Sequence, residues 1–225
     1  MIDKIGIEYE AGFKKEGIDK LNKIKHLDIK QDGSVRTKEE NLSQEITTKP
    51  FKFKDLEKLK EVVCLLADNT TEINETMGFH IHLSFTDYSD YVKLFKYDFV
   101  KRFTEEYAEK FTTTEELKRL DNQYSQQYKN NTDFFNTALS QVSYMGKGGS
   151  RYRAVNFNAY NLYNTIEFRI FGMNKKDKLI EYIDFLINSV NSFLENAEEV
   201  KLSYEVAVKY NPKSKVIKYN KVVEI

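Results

Sequence analysis

Residues 78–84 read Gly-Phe-His-Ile-His-Leu-Ser. Strict alternation of this kind suits a strand with two unlike faces and does not suit a helix. Phe79, Ile81, Leu83 and Phe85 go to one face, and His80, His82 and Ser84 to the other. The chain has three histidines, so two of them standing side by side make a face built for something that imidazole can coordinate or polarise. The segment Ile5-Gly-Ile-Glu-Tyr-Glu10 repeats the pattern with Glu8 and Glu10. Thr165-Ile-Glu-Phe-Arg-Ile170 repeats it with Glu167 and Arg169. Three strands therefore carry Glu-x-Glu, His-x-His and Glu-x-Arg, each with an apolar reverse. They predict a sheet with one face on helices and the other lined with metal- and phosphate-binding groups.

Taken singly, each motif has a plainer explanation. Glu-x-Glu on an edge strand is usually a solvated face, and Glu167 with Arg169 is an ordinary cross-strand ion pair. His-x-His also occurs in cupin metal sites, but no histidine follows His82 here, so that chemistry is set aside. The conjunction carries the argument. If Glu8, Glu10, Glu45 and Glu167 share one face, they repel unless protonated or bound to cations. Carboxylate oxygens favour Mg2+ or Mn2+ over zinc, and arginines beside them suit phosphate oxygens. Together these groups point to Mg-nucleotide phosphoryl chemistry. There is no Walker motif. Gly146-Lys147-Gly148-Gly149-Ser150 lacks that spacing and reads either as a connector or as a phosphate-covering lid that brings Lys147 to the nucleotide.

A chain of 225 residues can bury a full core as one large domain. Its 35 basic and 35 acidic residues balance, which argues against a nucleic-acid binder that relies on a basic surface. The single cysteine, Cys64, excludes an internal disulfide framework and suits a reducing compartment. Set in Val62-Val-Cys-Leu-Leu66, it reads as a small buried hydrophobe. No apolar run is long enough to span a membrane, and no signal-peptide core precedes the first strand. The expectation is a soluble cytoplasmic protein.

Along the chain, a strand at 4–13 leads to a short helix near 17–25. Asp32-Gly33 marks a tight turn. A strand at 43–48 ends before Pro50, and Asp55 is placed to cap a helix running to about 68. A polar connector at 69–77 enters the histidine strand. One long helix is expected from Asp87 or Ser89 to about 110, with Thr112–Glu115 capping the next. A short helix is expected near 133–141. Strands at 152–160 and 165–171 form a hairpin turned through Asn161–Asn164. A long amphipathic helix spans 176–200, and the last 25 residues alternate like two strands. The fold class is α+β with a largely antiparallel sheet, in a single domain over 1–225 that holds a mostly helical insert at about 88–145.

Gly6-Ile-Glu-Tyr-Glu10, Asp32-Gly-Ser34 with Glu45 downstream, Gly78-Phe-His-Ile-His82, and Arg153-x-x-Asn156 followed by Thr165-Ile-Glu-Phe-Arg169 resemble the amidoligases. That family belongs to the glutamine synthetase and glutamate–cysteine ligase superfamily of carboxylate–amine ligases. The motifs keep the family's order over residues 5–171. The resemblance implies a curved antiparallel sheet whose concave face holds ATP and Mg2+. It implies Glu8, His80 and Glu167 on the metal that bridges the nucleotide phosphates, and Glu10 and Glu45 on the metal nearer the substrate. It implies His82 near the nucleotide, and Arg169 with Arg153 on the transferring phosphoryl group. Asp32, Ser34 and Asn156 fall on the substrate side. Residues 88–144 map onto nothing in the larger ligases.

The implied activity joins a small-molecule or peptide carboxylate to an amine through an acyl phosphate. Two other readings use the same residues: a metal-dependent hydrolase or phosphoryl or nucleotidyl transferase, and a binding protein that keeps the fold without catalysis. Peptides, cell-wall fragments, amino acids and modified nucleobases all fit as substrates, and either a monomer or an oligomer fits the length.

Overall fold

Twelve residues of alternating polarity make β1 (Ile2–Phe13) the axis of the sheet. The computed structural model describes residues 1–143, 151–197, 209–210 and 217–218. After β1 come α1 (Lys15–Leu21), β2 (Leu27–Gln31), β3 (Leu42–Thr48), β4 (Phe51–Lys52), α2 (Leu56–Asn69), β5 (Thr70–Glu72) and β6 (Phe79–Phe85). The helical stretch α3 (Tyr88–Leu94), α4 (Tyr97–Lys110), α5 (Thr114–Lys118) and α6 (Asn131–Ser143) follows. Then come β7 (Val155–Asn156), α7 (Ala159–Tyr163), β8 (Ile166–Phe168) and α8 (Lys176–Asn196). These belong to a compact unit, Met1–Glu195, with Asn196–Ile225 forming a second. In the second, β9 (Lys209–Tyr210) pairs antiparallel with β10 (Ile217–Lys218).

The α+β class and the antiparallel sheet are as expected. The strand order is β2-β3-β1-β6-β8-β7, open at both ends, with β4 and β5 also pairing to β1. Every pairing of named strands is antiparallel. β1 thus lies inside the sheet, and its Glu8 and Glu10 are not on an edge strand.

The apolar face seats the helices. Ile5, Ile7, Tyr9 and Phe13 of β1 join Phe79, Ile81 and Leu83 of β6 and Ile166 and Phe168 of β8 in one buried cluster. Leu59, Val63 and Leu66 of α2 enter the same cluster, as do Leu179, Ile183, Leu186 and Val190 of α8. Phe168 is held edge-on by Phe99 and Phe103 of α4, with ring centroids 6.3 and 5.2 Å away. Phe103 also packs on Phe185 of α8 at 5.6 Å. Each such side chain adds roughly 1.5–3 kcal/mol by leaving water, so this face supplies most of the driving force. Tyr107 and Tyr182 lie in the same region, and burial pushes their phenols well above the usual range.

Several local expectations change. The long helix from 87 to 110 is broken: Phe95 leaves the helical region and Lys96 is extended (φ −140°, ψ 146°). The break lets Phe95 turn onto Phe157 and Phe134, at 4.9 and 5.5 Å. Asp55 stands before α2 without capping it through its side chain and pairs instead with Lys58 at 2.7 Å. In contrast, Thr113 and Glu116 form a reciprocal capping box at the start of α5. The connector at 69–77 contains β5. The 152–171 hairpin shrinks to β7 and β8, with α7 between them. Asn164 ends α7 in the left-handed region (φ 56°), which asparagine tolerates. Cys64 is half-buried, not buried, because the stripe at Leu59, Val63 and Leu66 turns it to the flank of α2. Residues 144–150, with Lys147 and the glycine-rich loop, lie outside the described residues, as does most of the expected C-terminal strand pair. Among the described residues, no helix is long and apolar enough to cross a membrane.

Phe103→Ala removes a ring that ties α4 to both β8 and α8. We expect a loss of about 3–5 kcal/mol in urea unfolding, against less than about 0.5 kcal/mol for the exposed Phe135→Ala as control.

Candidate active site

Register builds the polar face. Antiparallel pairing sets Glu8 opposite His80 and Gly6 opposite His82. On the other side of β1, Glu10 stands opposite Glu45. One strand further, His82 stands opposite Glu167, and Asn156 opposite Glu167 again. A row of acidic, imidazole and amide groups therefore crosses β3, β1, β6, β8 and β7 on the face away from the helices. They line a cleft of about 450 Å3, within the roughly 300–1,000 Å3 typical of small-molecule sites.

Glu8 is the hub. Its two carboxylate oxygens reach His80 Nδ1 at 3.0 Å and His82 Nε2 at 3.1 Å. His82 is fixed from behind by Thr165 Oγ1, 3.0 Å from its Nδ1. Glu167 Oε2 accepts from Asn156 Nδ2 at 2.6 Å, and its other oxygen pairs with Arg169. Arg169 Nε donates to the Tyr124 carbonyl at 3.2 Å. Glu10 Oε2 accepts from the Gly78 amide at 2.6 Å. The His80 ring lies so close over Gly78 that a Cβ built there would stand 2.3 Å from Nε2. That is why the motif begins with glycine.

Ligand atoms fall into two groups. Glu8, His82 and Glu167 offer one atom each within 4.8 Å of one another, and so do Glu10, Asp32 and Glu45. His80 Nδ1 lies 3.0, 3.7 and 4.0 Å from Glu8, Glu167 and Glu10, so the ring stands behind both groups. Asp32 is fixed by Ser34, whose amide and hydroxyl donate to Oδ1 at 2.7 and 2.8 Å.

The charges respond to this crowding. Burial raises the Glu8 carboxyl, but hydrogen bonds and charge from His80 and His82 outweigh it and hold Glu8 well below the usual range. Glu45 moves the other way: burial, then the charges of Glu8, Glu10 and Asp32, push it up. Burial opposes a proton on His82, yet the Glu8 hydrogen bond and the charges of Glu167 and Glu8 raise it. A carboxylate crowded in this way by other carboxylates is what a hard divalent cation relieves. The all-oxygen set Glu10–Asp32–Glu45 fits Mg2+ or Mn2+.

Nearly all the residues expected from the sequence come together here: Glu8, Glu10, Asp32, Ser34, Glu45, His80, His82, Asn156, Glu167 and Arg169 line one cleft. Arg153 is not among the described residues that line it. Its guanidinium is held by Asp133 (3.1 and 3.2 Å), the Gln127 carbonyl (2.9 Å) and Thr137 (3.0 Å), and it lies over the Tyr128 ring. Arg153 points into the helical insert because its register partner is Gln126, through an isolated bridge. Arg119 and Arg151 line the cleft in its place. Nothing in the local pattern of 114–121 marks Arg119, since it arrives by tertiary folding. Tyr163, beyond α7's buried face, stands edge-on to His82 at 6.2 Å.

Residues 8–97 match the model of the family described as "Putative amidoligase enzyme", the same family that the motifs resemble. Comparison with curated proteins and with solved structures gives no match. The matched stretch carries Glu8, Glu10, Asp32, Glu45, His80 and His82, while Arg119, Asn156, Glu167 and Arg169 lie beyond it.

Gly78→Ala forces the His80 ring or the Glu10 carboxylate to move. We expect a loss of about 1–3 kcal/mol and, in a crystal structure, a displaced His80. An unmoved ring and unchanged stability would contradict the close approach. The Asp133–Arg153 pair gives a pH signature. Although burial raises Asp133, its hydrogen bonds and Arg153 lower it below its ordinary value. The pair's contribution is therefore full above the unfolded pKa of about 3.9 and is lost as pH falls through the lower folded value. Asp133→Asn should cost about 1 kcal/mol at pH 7, with the gap to wild type closing toward pH 3.

Proposed function

We propose that this protein is an ATP-dependent carboxylate–amine ligase that works through an acyl phosphate. The observation that carries the reading is the pairing of two adjacent donor groups, Glu8–His82–Glu167 and Glu10–Asp32–Glu45, with arginines in one cleft. The family match over 8–97 supports ligase chemistry. On this reading the glutamine synthetase-like arrangement of the sheet serves to bring two anions, a carboxylate and a triphosphate, into one site. Their mutual repulsion is the main obstacle, and positively charged groups fixed before the reactants arrive offset it.

In the reaction, a substrate carboxylate oxygen bonds to the γ-phosphorus of ATP as the β,γ-bridging O–P bond breaks and ADP leaves. The amine nitrogen then attacks the acyl carbon, the bond to the phosphate oxygen breaks, and the amide forms with loss of one proton. Bound at the two donor groups, Mg2+ or Mn2+ would neutralise phosphate oxygens and so lower the charge at the reacting centre. Glu10, Asp32 and Glu45 would hold one ion, with Ser34 fixing Asp32. Glu8, His82 and Glu167 would hold another, with His80 and Thr165 orienting Glu8 and His82. Arg169, locked by Glu167 and the Tyr124 carbonyl, presents its charge to the transferring phosphoryl group. Asn156 holds Glu167 in place. The roles given to His80 and His82 thus differ from the motif-by-motif expectation, since His82 completes the donor group with Glu167.

Hydroxylamine is a general acceptor for acyl phosphates. With ATP, Mg2+ and panels of carboxylates, we expect hydroxamate formed in step with ADP. Glu167→Gln should lower that turnover by about 100- to 1,000-fold while the protein stays folded. Mg2+ with ADP at about 100 times Kd should add roughly 2.7 kcal/mol to wild-type stability, and less to Glu167→Gln. Undiminished hydroxamate formation in a folded Glu167→Gln protein would sink the site assignment. ADP release without hydroxamate under any carboxylate would favour a hydrolase.

A further inference from the structure

Arg119 follows α5 in the helical insert, outside the residues that the family model matches. It is only 7% exposed. Its Nε donates to the Ile170 carbonyl at 3.3 Å, and its Nη2 to those of Arg169 and Phe171 at 3.1 and 3.4 Å. These bonds clamp the chain just after β8, so they hold Arg169 where it meets Glu167. They use one side of the guanidinium only. Of its five N–H donors, the two on Nη1 have no hydrogen-bond partner among the described residues. All its bonds go to neutral carbonyls, so its charge is unpaired among the described side chains. Holding a cation in a largely buried side chain without a counter-charge is costly. Yet Arg119 lines the cleft, where an incoming group can meet Nη1. Of the charged groups that act on it, Glu10 is the foremost opposite charge and Arg169 a like one.

We propose that Arg119 is an oxyanion-binding residue, its Nη1 receiving a phosphoryl or carboxylate group of the substrate on the wall it shares with Arg169. Naming the oxyanion as part of the reacting substrate rests on the ligase reading. The anion site itself rests on the clamped geometry. Three carbonyls preset the guanidinium, so little rotamer freedom is lost when the anion binds. Gly172 permits the approach, because a Cβ there would stand 3.3 Å from Arg119 Cδ. The insert therefore contributes to the site as well as covering the core.

The test is a thermal-shift titration of wild type, Arg119→Gln and Arg119→Lys with inorganic phosphate, with acetate, and with sodium chloride at matched ionic strength. Mg2+ alone is a parallel arm. We expect a saturable rise in Tm with phosphate, acetate or both that chloride does not reproduce, phosphate marking a phosphoryl site and acetate a carboxylate site. In both variants the affinity should fall roughly tenfold or more, with the response to Mg2+ kept. An unchanged oxyanion response in a folded variant overturns the proposal, as does a wild-type response no greater than that to chloride. A response that depends on Arg119 in a protein indifferent to Mg2+ would keep the anion site and remove the ligase reading. Should both variants unfold, wild-type crystals soaked in phosphate and, separately, in acetate decide: anion density within hydrogen-bond distance of Arg119 Nη1 in either soak supports the proposal, and its absence from both overturns it.

Discussion

The pairing of β1 with β3 on one side and β6 on the other governs this structure. It sets Glu10 against Glu45 and Glu8 against His80. A shift of one residue in either ladder would turn the carboxylates into the core and the apolar groups into the cleft. The apolar face prevents that shift, because Ile5, Ile7, Tyr9 and Phe13 are all buried under the helices. The hydrophobic face thus holds together a polar face that would otherwise repel itself.

That repulsion is unevenly relieved. Around Glu8 and Glu167, two imidazoles, an amide and Arg169 supply hydrogen bonds and positive charge. Around Glu10, Asp32 and Glu45 the partners are mostly the Gly78 amide and Ser34, and Glu45 is pushed toward protonation. The second group is therefore the one that would gain more from a bound divalent cation. The cleft leaves both groups open to the same space, so charge bound at one is felt at the other.

The helical insert is more than a cover. Its α4 packs Phe99 and Phe103 beneath Phe168. The stretch after α5 sends Arg119 to three carbonyls beyond β8, and Tyr124 supplies a fourth carbonyl to Arg169. Asp133 in α6 draws Arg153 away from the cleft. The insert thus decides which arginines face the cleft.

The sequence by itself determined the two-faced strands, and with them most of the site. Alternation at 5–10, 43–48, 78–84 and 165–170 sorts side chains between faces whatever the neighbours, because a strand's side-chain period is two. Glu8, Glu10, Glu45, His80, His82, Glu167 and Arg169 were legible for that reason. The tertiary structure alone decided what depends on long-range packing. The break at Phe95–Lys96 follows from aromatic partners far along the chain. Asp32 joins Glu10 and Glu45 only because β2 folds back on β3. Arg119, unmarked in the sequence, takes the place expected for Arg153 because an arginine goes wherever its donors find acceptors, and those acceptors lie 16 residues or more away in sequence.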